Sequence, residues 1–141
     1  MSAPNIASLR QLAVRVLVQA AGPAPNAESV AAATRRSIDA LTRVLAPLIG
    51  RVGIDALGAR AVHLAQREFP WLAKTGDAAE AEGTLLPVSG CLAHQEPALA
   101  VQAAAAVLAR FAGLLVTMIG EPLTMRLLRQ AWPEGFSDAG T

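Results

Sequence analysis

Apolar residues recur at intervals of three and four along most of the chain, which is the spacing of one face of an α-helix. The first such stripe consists of Ile6, Leu9, Ala13, Val16, Leu17 and Ala20. It predicts a first helix over residues 6–21, with Asn5 as its N-cap. Residues 22–25 read Gly-Pro-Ala-Pro and end this helix, because proline cannot continue it.

Two further stripes predict a second helix that ends near residue 49 and a third over about 54–69. Asn26 or Ser29 caps the second helix, and Gly50 fits its C-terminal end. The inward stripe of the second helix is Val30, Ala33, Ile38, Leu41, Leu45 and Leu48. The inward stripe of the third is Ile54, Leu57, Ala61, Leu64 and Ala65.

Residues 74–95 have no such pattern and carry Asp77, Glu80 and Glu82, so they are predicted to form a long acidic loop or lid. A fourth helix begins near Glu96-Pro97 and ends near Ile119. Its stripe is Val101, Leu108, Phe111, Leu115 and Met118, with Val107 and Leu114 beside it. A helix that is apolar nearly all round belongs at the centre of a bundle or at an interface.

A fifth helix is predicted over about 122–132, and residues 134–141 form a frayed tail. The fifth helix buries Leu123, Leu127, Leu128 and Trp132. Residues 41–50 and 111–120 resemble each other, since both end in Ile-Gly where one helix stops and another starts. The similarity indicates a duplicated helical hairpin, although two apolar helices can look this alike by chance.

Composition agrees with an all-helical chain. Of the 141 residues, 53% are hydrophobic and 16% charged, and 31 alanines and 19 leucines favour helix over sheet. The expected fold is therefore all-α, a compact bundle of four to five helices in a single domain spanning 1–141. An excess of arginine over lysine, with so much alanine and leucine, is typical of a GC-rich bacterial genome.

Charge, cysteine content and hydropathy restrict the partners and the compartment. The net charge of +1 is too small to drive binding to nucleic acid, although residues 1–70 carry +4 and residues 71–141 carry −3. A single cysteine, Cys91, and the lack of a signal-peptide pattern predict a cytoplasmic protein. Residues 98–120 are apolar enough to raise the question of a membrane span, but Arg110 near their middle favours a buried helix.

His63 is the strongest candidate for chemistry. It lies on the polar face of the third predicted helix, with Arg60 one turn before it and Arg67 one turn after it. An exposed imidazole could accept a phosphoryl group whose oxygens these arginines stabilise. The arrangement resembles a histidine phosphotransfer domain in outline, but Gln66-Arg67-Glu68 stands where that family has a lysine and then a glycine. The alternative is an ordinary surface histidine.

Other chemistries find little support in the sequence. Cys91 and His94 are too few for a zinc site, so no metal or cofactor is expected. No glycine-rich phosphate loop, helix-turn-helix or Ser/His/Asp set is recognisable.

The leading hypothesis is therefore a non-enzymatic bacterial interaction or regulatory module, which forms a homodimer through its fourth or fifth helix. One of Leu115 and Leu128 is expected at the dimer surface and the other in the core. The two alternatives are phosphotransfer through His63 and a small-ligand bundle lined by Trp71, Phe111 and Trp132.

Overall fold

The computed structural model describes residues 6–75 and 95–133, and in this part of the chain all regular structure is helical. The elements are α1 (Ile6–Ala21), α2 (Ala27–Ala65), a short 3₁₀ helix (Pro70–Thr75), α3 (Pro97–Ile119) and α4 (Glu121–Ala131). The predicted all-α class is confirmed. The Asn5 cap, nearly all of the predicted loop and the predicted tail lie outside the described residues.

The start of α2 is held by a reciprocal cap. The Asn26 side chain accepts a hydrogen bond of 2.8 Å from the backbone N–H of Ser29, and Ser29 Oγ accepts one of 2.9 Å from the backbone N–H of Asn26. Both candidate caps therefore take part, and together they satisfy two backbone donors at the start of the helix.

The predicted second and third helices are joined without a linker, which corrects the predicted gap between them. At Gly50 the backbone adopts φ 75° and ψ 166°, and helical geometry resumes at once. A glycine in this region turns the chain within one residue, so α2 has two arms, residues 27–49 and 51–65. The second arm ends at Ala65 rather than Phe69, because the amides of Arg67 and Glu68 bond to carbonyls only three residues back.

The predicted fourth helix, α3, is the central element. It contacts α1, α2 and α4, and α4 packs back against both α2 and α3. Its most apolar window has a mean hydropathy of 1.9 and is 67% buried inside the chain. Within the described residues, α3 is the one helix long and apolar enough to cross a membrane, and this degree of burial is also that of a core helix.

Two residues of the predicted inward stripes are at the surface. Leu48 is 49% exposed and Met118 is 57% exposed, so their assignment to the core is wrong. Each lies two residues before a glycine at which the chain changes direction. The buried stripe continues on the next helical segment at Ile54 and Thr124, and it bypasses the last turn before each glycine.

The chain contains the same helix–glycine–helix unit twice, seventy residues apart. The first arm of α2 starts at residue 27 and ends before Gly50, and α3 starts at residue 97 and ends before Gly120. Every buried residue of α2 as far as Ala61 has a buried counterpart in α3 or α4. The matched positions are Val30 and Ala100, Ala33 and Ala103, Thr34 and Ala104, Ser37 and Val107, Ile38 and Leu108, Leu41 and Phe111, Leu45 and Leu115, Ile54 and Thr124, Gly58 and Leu128, and Ala61 and Ala131. This agreement in length and burial supports the duplicated hairpin that the Ile-Gly similarity indicates.

The two units differ in how much of the first helix is covered. On α3, Ala105, Ala106 and Ala109 are also buried, and their counterparts on α2 are the exposed residues Arg35, Arg36 and Asp39. α3 packs more extensively against α1 than α2 does, and alanine side chains allow this close approach. Other helices of the same chain therefore cover most of the apolar surface of α3.

Candidate functional site

The most distinctive surface feature is the pair of glycine turns. Gly50 has φ 75° and ψ 166°, and Gly120 has φ 90° and ψ 159°. Only glycine adopts this region without strain. A Cβ at Gly50 would have no neighbour within 4 Å, and one at Gly120 would meet only Pro122 Cδ at 3.9 Å. Backbone conformation, and not lack of space, is therefore what requires glycine at both turns.

Large apolar side chains flank both glycines at the surface. We define elbow 1 as Leu48, Arg51 and Val52 around Gly50, and elbow 2 as Met118, Glu121 and Pro122 around Gly120. In elbow 1, Leu48 is 49% exposed and Val52 is 85% exposed. In elbow 2, Met118 is 57% exposed and Pro122 is also exposed. Within residues 6–75 and 95–133, five large hydrophobic residues are exposed, and three of them, Leu48, Val52 and Met118, lie in these elbows.

The residue that follows each glycine is charged, and the two charges are opposite. Arg51 is exposed and Glu121 is partly exposed. Within the described residues, neither takes part in an ion pair or a side-chain hydrogen bond. The two elbows therefore have similar glycine conformations and expose apolar residues at equivalent positions, but the charged residue that follows the glycine is of opposite sign. The repeated Ile-Gly was the sequence signal for these surfaces, but it did not show that Leu48, Val52 and Met118 are exposed.

The structure places the candidate phosphotransfer residues on one side of α2 and the turn that follows it. His63 lies in the last turn of α2, and its side chain is exposed. Arg60 is exposed one turn earlier, and Arg67 is exposed in the turn after Ala65. An imidazole at this position is accessible to a protein that carries a phosphoryl group.

The three aromatic residues of the small-ligand hypothesis lie in different surroundings. Phe111 is fully buried in the core. Trp71 packs edge-on against Phe69, with ring centroids 6.0 Å apart, and the Arg10 guanidinium lies 5.8 Å from the Phe69 centroid. Trp132 alone of the three lines a cavity between α1, α2 and α4.

That cavity has a volume of about 380 Å³, and most of its polar groups already have partners within the chain. Trp132 Nε1 donates to the backbone oxygen of Ser37 at 3.1 Å. Arg36 Nη2 donates to the backbone oxygen of Ala20 at 2.7 Å, and Ser37 Oγ donates to that of Ala33. These bonds tie α1, α2 and the end of α4 together, and they leave few polar groups to recognise a ligand.

The candidate interface leucines are both in the core. Leu115 and Leu128 are each 0% exposed, which corrects the expectation that one of them lies at the surface of the chain. The reason is that α1, α2 and α4 all pack against α3, which carries Leu115, and that α4, which carries Leu128, packs against α2 and α3. Aspartate at either position is therefore expected to unfold the protein, and any contact with a partner must use other residues.

No cluster of three or more potential metal ligands exists in the part of the chain that the structure describes. Comparison with protein families, with curated proteins and with solved structures finds no match to this chain.

Proposed function

We propose that this protein is a non-enzymatic interaction module of the bacterial cytoplasm and that it associates with itself through its elbows. The observation that carries the proposal is the exposure of Val52, with Leu48 before it and Met118 at the equivalent place in the second unit. Burying a large aliphatic side chain contributes about 1.5–3 kcal/mol, so covering several together can drive association. The arginine-rich composition and the single cysteine support the organism class and the compartment.

The test compares self-association of the wild type with that of two matched variants. Sedimentation equilibrium at micromolar concentration should show a dimer for the wild type and a monomer for Val52→Asp. Val18→Asp is the matched control, because Val18 is a second exposed valine, 47% accessible, and lies on α1 and in neither elbow. This variant should remain dimeric.

Circular dichroism establishes that each variant keeps its helical content. A wild type that sediments as a monomer at high micromolar concentration would overturn the proposal. A Val52→Asp variant that dimerises as tightly as the wild type would remove the elbows from the interface.

The exposure of His63 beside Arg60 and Arg67 favours histidine phosphotransfer as the second candidate function. In this reaction an imidazole nitrogen attacks the phosphorus of an aspartyl phosphate on a receiver domain. The bond from phosphorus to the carboxylate oxygen breaks and releases the receiver's aspartate, and the proton on the other ring nitrogen passes to solvent. Incubation with a labelled phosphorylated receiver should label the wild type and not His63→Ala. Failure of a panel of receivers to label the wild type would contradict this function.

A further inference from the structure

We infer that elbow 1 of one copy binds elbow 2 of a second copy, and that a two-fold axis makes the same contact twice. The inference rests on the proposed self-association and specifies which surfaces meet. The internal repeat supports this pairing. The two elbows have similar glycine conformations, they end helices of equal length, and they expose apolar residues at equivalent positions. A second copy of this chain therefore presents both surfaces at once.

Charge decides between pairing of like elbows and pairing of unlike elbows. Two copies of elbow 1 facing each other would bring Arg51 against Arg51, and two copies of elbow 2 would bring Glu121 against Glu121. Like charges that face each other across an interface oppose association, whereas an arginine opposite a carboxylate favours it. Elbow 1 against elbow 2 is the arrangement that places opposite charges beside apolar surface.

The state of the two charged groups within one chain supports this choice. Neither Arg51 nor Glu121 has a side-chain partner among the described residues, so each is available for a partner molecule.

Symmetry makes one kind of contact sufficient for a closed dimer. In a two-fold pair, a contact from residue 51 of one copy to residue 121 of the other is repeated in the opposite direction. The two contacts together cover the apolar side chains of all four elbows, and one ion pair lies in each contact. This surface differs from the one expected from sequence at Leu115 of the fourth predicted helix or Leu128 of the fifth, both of which are in the core.

The experiment reverses the charge at position 51 or at position 121 and measures dimerisation of each variant alone and of the two mixed. Arg51→Glu alone places two acids at each contact, and Glu121→Arg alone places two arginines there. Each variant by itself should dimerise at least tenfold more weakly than the wild type in sedimentation equilibrium. An equimolar mixture of the two variants should recover a dimer within about threefold of the wild-type affinity, because both contacts in the mixed pair are again opposite in charge.

Two controls accompany the mixture. Arg35→Glu makes the same change of charge at an exposed residue on the first arm of α2, and it should leave the affinity unchanged. The double variant Arg51→Glu with Glu121→Arg should dimerise with itself, since it restores both pairs. Because recovery in the mixture requires both single variants to be folded, loss of association through misfolding would be recognised.

The outcomes separate this inference from the proposed function. A dimeric wild type whose single variants dimerise equally well, or whose mixture stays dissociated, overturns the pairing of elbow 1 with elbow 2 and leaves self-association standing. A monomeric wild type overturns both. A mixture that assembles beyond a dimer shows that unlike elbows bind without closing, and it overturns the two-fold arrangement.

Discussion

Replacing Gly50 with alanine is the most direct test of the elbow geometry. At φ 75° and ψ 166° an alanine is strained, and such a residue costs about 1–3 kcal/mol. The unfolded chain loses some freedom with alanine, which offsets about 0.4–1 kcal/mol. No atom lies within 4 Å of the added Cβ, so steric collision adds nothing. With both contributions near the middle of their ranges, the free energy of unfolding should fall by about 1.3 kcal/mol.

The alternative response of Gly50→Ala is that the elbow straightens into continuous helix. That change would swing the second arm of α2 away from the core and expose Ile54, Ala61 and Ala65, so the loss would be larger. Urea denaturation followed by circular dichroism measures the effect by linear extrapolation, and the slope m reports any change in exposed surface.

Two further glycine variants serve as comparisons. Gly120→Ala should behave like Gly50→Ala, because Gly120 has a similar conformation. Gly53→Ala should have a much smaller effect, because Gly53 lies within the helical second arm and has no positive φ. Its added Cβ would lie 3.3 Å from Ile49 Cβ, which the Ile49 side chain relieves by a shift of a few tenths of an ångström. If Gly50→Ala leaves the stability within about 0.5 kcal/mol of the wild type, the strain argument is refuted.

Three other substitutions test the packing by the same denaturation assay. Thr124→Val should raise stability by about 1 kcal/mol, because Thr124 Oγ1 is buried without a hydrogen-bond partner. The equivalent residue in the first unit is the apolar Ile54. A loss of stability would imply a partner for this hydroxyl. Trp132→Phe should cost about 1 kcal/mol or more through the lost bond to the Ser37 carbonyl, and an unchanged stability would show that this bond contributes nothing. His63→Ala should stay within about 0.5 kcal/mol of the wild type, because the side chain is exposed, and a loss of several kcal/mol would indicate burial.

The helices themselves could be predicted from local patterns. α1 has the predicted bounds, and α3 begins and ends as expected from Pro97 and Gly120. The α2 cap uses both predicted residues, Asn26 and Ser29. These features depend on apolar spacing, on proline and glycine, and on short-range hydrogen bonds, all of which act within a few residues along the chain.

The residues of the candidate site could not be predicted from local patterns, because their exposure depends on how distant helices pack. An apolar stripe shows that a helix face must be covered, but it does not show which neighbour covers it. Leu115 is a core residue because α1, α2 and α4 all pack against α3, and Leu128 is one because α4 packs against α2 and α3. The same spacing assigned Leu48 and Met118 to the core, although the turns at Gly50 and Gly120 place them at the surface.

Only part of the internal repeat could be predicted from the sequence. The shared Ile-Gly could be read from the sequence, while the common seventy-residue register of buried positions required the folded chain. Burial is the physical reason, because it depends on the other helices packed around a residue. A sequence of this kind therefore predicts where its helices lie, and the packing of those helices decides which apolar side chains remain available to a partner.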